Sequence, residues 1–261
     1  MTVSAQKTMH QATGSWALTV RNVTKRFGGN LVNDNVSMRL APGEVRGLVG
    51  PNGAGKTTFL NVISGVYAPD SGTIALGAHD LTGLSLNAIS RLGLIRTFQV
   101  PKLFGDMTVL ENLLLPFQAR NGWFKTRDVV RAQDRAAELL ELTDLTRLKE
   151  SPAKNLSGGQ QALLQMAAGF MVDGIRCYLL DEAFAGMSVV AKERAYGLID
   201  HFRAGHSVSF LVVTHEMASV RRLCDSVTVM AEGRVIAEGS LDEVISDGQV
   251  ISAYLGRARA N

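Results

Sequence analysis

Residues Gly50 to Thr57 read Gly-Pro-Asn-Gly-Ala-Gly-Lys-Thr, which fits the spacing G-x-x-x-x-G-K-[ST] of a phosphate-binding loop. Such a loop needs a strand before it and a helix after it. Glu44 to Val49 reads as a short strand, and Lys56 to Ser64 reads as a helix closed by Gly65. The glycines let backbone N–H groups turn inward around an anion, and the helix start adds its partial positive charge. Lys56 then bridges the β- and γ-phosphates, and Thr57 offers its hydroxyl to Mg2+. Gly50, Pro51, Asn52, Gly53, Ala54, Gly55, Lys56, Thr57 and Thr58 are therefore the candidate nucleotide-binding residues. A glycine-rich turn that happens to hold a lysine is the alternative.

Cys177-Tyr178-Leu179-Leu180-Asp181-Glu182 is an apolar strand ended by two carboxylates. At the carboxyl end of a parallel strand, acids face the ligand crevice. Asp181 is then a candidate for holding Mg2+ through water, and Glu182 for polarising the water that attacks a γ-phosphate. Two acids after a strand also fit a helix start. Leu156-Ser157-Gly158-Gly159-Gln160 supplies a hydroxyl, flexible N–H donors and a helix start, which makes a second anion-binding terminus or simply a capped helix.

Composition narrows the class. Hydrophobic residues make up 46 % and charged residues 20 %, so the chain is neither disordered nor collagen-like. The net charge of +3 permits an anionic partner without arguing for nucleic acid. Cys177 and Cys224 form no CxxC or Cys/His cluster, which points to reduced structural thiols. The opening residues lack the apolar stretch of a signal peptide, and the uncharged stretch Asn155–Val172 is too polar to span a bilayer. Work at a membrane would require docking by other proteins.

Along the chain, residues 1–14 are polar and small, and are expected to form a mobile tail. Strands are predicted over Trp16–Val23, Val36–Leu40, Thr73–Leu76 and Leu94–Phe98. From about Pro101 to Phe170 helical spacing takes over. Ala132, Ala136, Leu139 and Leu140 share one face of a helix starting near Arg127. Strand Cys177–Leu180, helix Val189–Phe202 and strand Val208–Val213 follow. Ser226–Met230 and Arg234–Ala237 then read as a hairpin, and two short helices finish the chain. The fold class is α/β with a largely parallel sheet. The expected division is an ATP-binding core of residues 15–98 and 171–261, with a helical lobe of 99–170 inserted.

The phosphate loop, Gln99, Leu156–Gln160, Leu180-Asp181-Glu182 and His215 occur in the order of an ATP-binding-cassette ATPase, and the chain resembles that family over about residues 16–256. The resemblance implies a P-loop NTPase core, an antiparallel β subdomain and an inserted helical signature subdomain. It implies ATP and Mg2+ as ligands. It also implies head-to-tail pairing, in which the loop of one subunit and Ser157, Gly158, Gly159 and Gln160 of the other sandwich each ATP. Phe27 falls where an aromatic stacks on adenine, although an ordinary core aromatic fits as well. Gln99 falls where a glutamine senses Mg2+ and the attacking water. His215 falls where a histidine contacts the γ-phosphate; without the family it would be read as a capping or packing residue.

Arg96-Thr97-Phe98-Gln99, Leu103-Phe104, Met107–Leu113, the Arg26-Phe27-Gly28-Gly29 opening and the tail Val250–Gly256 look like branched-chain amino-acid importer ATPases. That resemblance implies a second ATPase subunit, two transmembrane permeases and, indirectly, a periplasmic binding protein. It implies no nucleic acid, and a peripheral place on the cytoplasmic face of the inner membrane. Importers of urea and short amides, lipid-type exporters, soluble cassette proteins and a non-hydrolysing regulatory subunit are the alternatives. The chain departs from the family pattern at Ala183, at Ser188 in Gly186-Met187-Ser188, and at Ala162, Leu163 and Ala168, where arginines are usual. These departures fit a subunit that pairs with a particular partner rather than with itself.

Overall fold

The computed structural model describes residues 17–97, 102–121 and 126–258. The expected tail, Trp16, Phe98 and Gln99 lie outside the described residues.

Four strands form an antiparallel sheet: β1 (Leu18–Phe27), β2 (Asn30–Leu40), β4 (Ser71–Leu76) and β5 (His79–Asp80), in the order β2-β1-β4-β5. Its pattern has period two: Val36, Met38 and Leu40 are buried while Ser37 and Arg39 are exposed. β1 and β2 run past their predicted ends because Gly28-Gly29, with Gly28 at φ 57°, turns the chain tightly enough to pair Phe27 with Asn30.

The second sheet holds β3 (Val45–Val49), β6 (Leu94–Arg96), β7 (Cys177–Asp181), β8 (Ser209–Val213), β9 (Ser226–Ala231) and β10 (Arg234–Gly239), in the order β10-β9-β3-β8-β7-β6. Its ladders are parallel except the β9–β10 hairpin. Every residue of β7 and β8 is buried, the mark of a sheet covered on both faces. Tyr178, Leu180, Phe210 and Val212 point toward the helical side, whereas Leu179, Leu211 and Val213 join the core shared with the antiparallel sheet.

The helices are α1 (Lys56–Ile63), α2 (Leu86–Arg91), α3 (Val109–Asn121), α4 (Thr126–Leu142), α5 (Gly158–Gly169), α6 (Val189–His206), α7 (Met217–Leu223), α8 (Leu241–Ile245) and α9 (Gly248–Ala258). The face predicted from Ala132, Ala136, Leu139 and Leu140 is buried against α3 and α5 residues such as Leu113 and Leu164. Phe170, stacked on Phe202 at 3.8 Å, carries this packing to the sheet. Ser188 caps α6 by accepting from Ala191 N–H at 3.3 Å, so the departure at this position supplies a helix start. Among the described residues no helix is long and apolar enough to cross a membrane.

Candidate functional site

Sheet order assembles the site. β3, β8 and β7 are neighbours, and their carboxyl ends lead into the glycine loop, into Thr214-His215 and into Glu182. Three distant stretches of sequence therefore meet at one edge, where open α/β sheets bind ligands.

The loop is built around glycines that its neighbours demand. A Cβ on Gly50, at φ 149°, would stand 2.0 Å from the Met230 carbonyl oxygen; one on Gly55, at φ 94°, would stand 2.6 Å from that of Val32. The loop also staples the two sheets. Gly233 N–H donates to the Ala54 carbonyl at 3.1 Å, and Asp34 N–H donates to the Gly233 carbonyl at 2.9 Å. Gly55 caps α1 without a side-chain hydrogen bond, so no capping side chain occupies the helix start where an anion would bind. Lys56 is only 7 % exposed, and its ammonium donates to the carbonyls of Gly50 at 2.6 Å and Pro51 at 3.1 Å. This desolvated cation at a helix start without a side-chain cap suits a polyphosphate.

The loop borders a pocket of about 300 Å³ whose lining includes Lys56, Thr57, Thr58, Glu182 and His215. Glu182 adopts φ 51°, a left-handed conformation that costs a non-glycine residue about 1–3 kcal/mol and recurs at active sites. Burial pushes its carboxyl above the usual range; the charge of Asp181 adds to this, while His215 and Lys56 oppose it. His215 Nε2 lies 3.1 Å from Glu182 Oε1. The pair makes a carboxylate with raised basicity, held by an imidazole, at the mouth of an anion site.

Asp181 is buried behind Glu182, with its carboxylate 2.7 Å from Arg96 Nη2. In the sequence Arg96 is only one letter of the motif Arg96-Thr97-Phe98-Gln99. Its role becomes visible once β6 and β7 pair and set Arg96 opposite Leu179. The hydroxyl of Thr57 and the carboxylate of Asp181 are hard oxygen donors of the kind Mg2+ takes.

The other expected residues stand apart. Phe27 is 42 % exposed at the end of β1, edge-on to Tyr67 at 5.1 Å, so it is not a core aromatic, and it does not line the pocket. Ser157, Gly158, Gly159 and Gln160 do not line it either. They form a capping box: Gln160 N–H donates to Ser157 Oγ at 3.3 Å, and Ser157 N–H to Gln160 Oε1 at 2.9 Å. Gln99 lies outside the described residues.

Residues 33–185 match the family described as ABC transporter, and residues 234–260 match that described as branched-chain amino acid ATP-binding cassette transporter. The chain is 39 % identical over 251 residues to the high-affinity branched-chain amino acid transport ATP-binding protein LivG of Escherichia coli, covering 92 % of this chain and 98 % of that one. It is 36 % identical over 250 residues to the probable LivG of Archaeoglobus fulgidus, covering 92 % and 95 %. The crystal structure of an ATP-binding cassette of an ABC transporter in its ADP conformation superposes with a TM-score of 0.81 at 30 % identity, covering 92 % and 99 %. By these matches the chain belongs to the ABC transporter family.

Proposed function

We propose that the chain is the ATP-binding, ATP-hydrolysing subunit of an importer for branched-chain amino acids. The observation that carries the chemistry is the convergence of Lys56, Glu182 and His215 on one pocket. The solute class is supported by the LivG relatives and by the match of residues 234–260.

ATP enters with its phosphates in the loop, and Lys56 exchanges its contacts with the Gly50 and Pro51 carbonyls for phosphate oxygens. Thr57 and Asp181 fit Mg2+, and the family resemblance gives Gln99 the role of sensing the ion and the attacking water. Among the described residues no group of three or more His, Cys, Asp or Glu forms a cage, which suits an ion that completes its shell from substrate phosphates and water. Bound Mg2+ supplies charge neutralisation on the phosphates. Glu182 takes the proton of the attacking water, its raised basicity serving that step, while His215 orients the carboxylate and faces the γ-phosphate. Phe27 stacks on adenine.

Ser157, Gly158, Gly159 and Gln160 act on the nucleotide of a second ATPase subunit, a different chain, and ATP closes the pair by bridging both. The lobe of residues 99–170 passes closure to two transmembrane permeases, which a periplasmic binding protein supplies with solute. The core is then residues 15–98 and 171–261, seated peripherally at the cytoplasmic face of the membrane. Tagged chain drawn from detergent-solubilised membranes is expected to bring two multi-span proteins and a second small ATPase. Recovery only with ribosomes or DNA-binding proteins would overturn the transport reading.

A further inference from the structure

Arg96 is the last residue of β6, an edge strand of the parallel sheet. Its side chain is nevertheless only 6 % exposed, and that of Asp181 5 %. Nη2 donates to Asp181 Oδ2 at 2.7 Å. Nη1 donates to Asn61 Oδ1 at 2.6 Å and Ser64 Oγ at 3.2 Å. Asn61 lies on α1 and Ser64 caps it, so one planar fork joins the helix that opens at Lys56 to the carboxylate beside Glu182. The next residue completes the grip: Asp181 N–H donates to Thr97 Oγ1 at 3.1 Å. Two consecutive residues thus fix both the backbone and the carboxylate of Asp181. The ion pair engages Oδ2 of that carboxylate.

Stability alone gives little reason for this arrangement. Desolvating two charges offsets most of their attraction, and well-packed apolar side chains of similar volume often serve as well. What a fork supplies is direction, because it makes two bonds in one plane. We propose that Arg96 is a positioning residue for the metal end of the nucleotide site, tying the Asp181 carboxylate to α1 so that it meets a divalent cation from one fixed direction. The proposal rests on the Mg2+–ATP reading of that site. Groups behind a metal ligand commonly decide how well it binds, and their loss weakens metal affinity by about 10–100-fold.

The test compares ATP affinity in EDTA with ATP affinity in Mn2+, for the wild-type chain, Arg96→Gln and Arg96→Lys. The lysine variant keeps a buried cation opposite Asp181 and decides the matter where the glutamine variant does not fold. In EDTA the variants are expected to bind ATP within about twofold of wild type, whereas the gain on adding Mn2+ falls about tenfold, the lower end for a group behind a metal ligand. An unchanged gain in folded Arg96→Lys, whatever its absolute affinity, overturns the proposal. Failure of the wild-type chain to bind ATP in either condition would instead overturn the nucleotide reading beneath it, and is visible without any variant.

Discussion

Helices α1 and α5 both begin at glycines, and the two beginnings are built in opposite ways. At α1 the glycines are demanded from within. Gly50 and Gly55 sit at positive φ with backbone carbonyls where a Cβ would go, and no side chain caps the helix. At α5 the helix is already closed by the Ser157–Gln160 capping box, and a Cβ on Gly158 would meet nothing within 4 Å. Gly159 would meet only ordinary contacts with Ala191 and Met187. Glycine in a helix costs about 1 kcal/mol against alanine. The first pair of glycines is explained by this chain's own fold. The second pair is not, and the proposed use of α5 on a partner's nucleotide supplies the missing reason.

That contrast can be broken experimentally. The largest effect is expected at the completed site: Glu182→Gln should retain ATP and lower hydrolysis by about 10²–10⁴-fold, the scale of a lost general base. Near-normal turnover in that variant would sink the role given to Glu182. Gly55→Ala should destabilise the fold by about 2–3 kcal/mol through overpacking and backbone strain, lowering the melting temperature by roughly 4–12 °C. Gly158→Ala should leave the melting temperature unchanged or raise it by a few degrees, yet reduce turnover about tenfold by crowding a closed pair. A melting-temperature drop matching that of Gly55→Ala would erase the distinction. The smallest effect is a displaced pH profile. Glu182 must be ionised to act as a base, so turnover falls as pH drops through its raised pKa. His215→Ala removes a charge that holds that pKa down, so the acidic limb of the residual activity should move to higher pH. A limb that moves to lower pH would contradict this pairing.

The sequence made the first helix start far more legible than the residues that support it. A loop whose glycines are locally required leaves a spacing that can be read directly, and Lys56, Asp181, Glu182 and His215 follow from it and from family order. Strand cores such as β7 and β8 were legible because both faces are buried. Ends were not: β1, β2 and α6 run further than predicted, because pairing across Gly28-Gly29 and capping by Ser207 at φ 53° are settled by neighbours. Arg96 was missed for the same reason. Its partners Asn61 and Ser64 on α1 and Asp181 on β7 are far apart in sequence, and no periodicity signals that two elements will converge on one guanidinium. Phe27 shows the converse, an aromatic whose sequence allows a core role but whose position leaves it half open.

The staple between the sheets has a consequence for the chain's motions. Gly233 bonds to Ala54 on one side and to Asp34 on the other, so Ala54 is tied to β2 through the β9–β10 turn. The Gly233 and Asp34 amides should exchange with solvent only when loop, turn and β2 part. A nucleotide held there would slow exchange in β10, none of whose residues lines the pocket. Occupancy would then be recorded as a lengthened lifetime across the seam of the whole core.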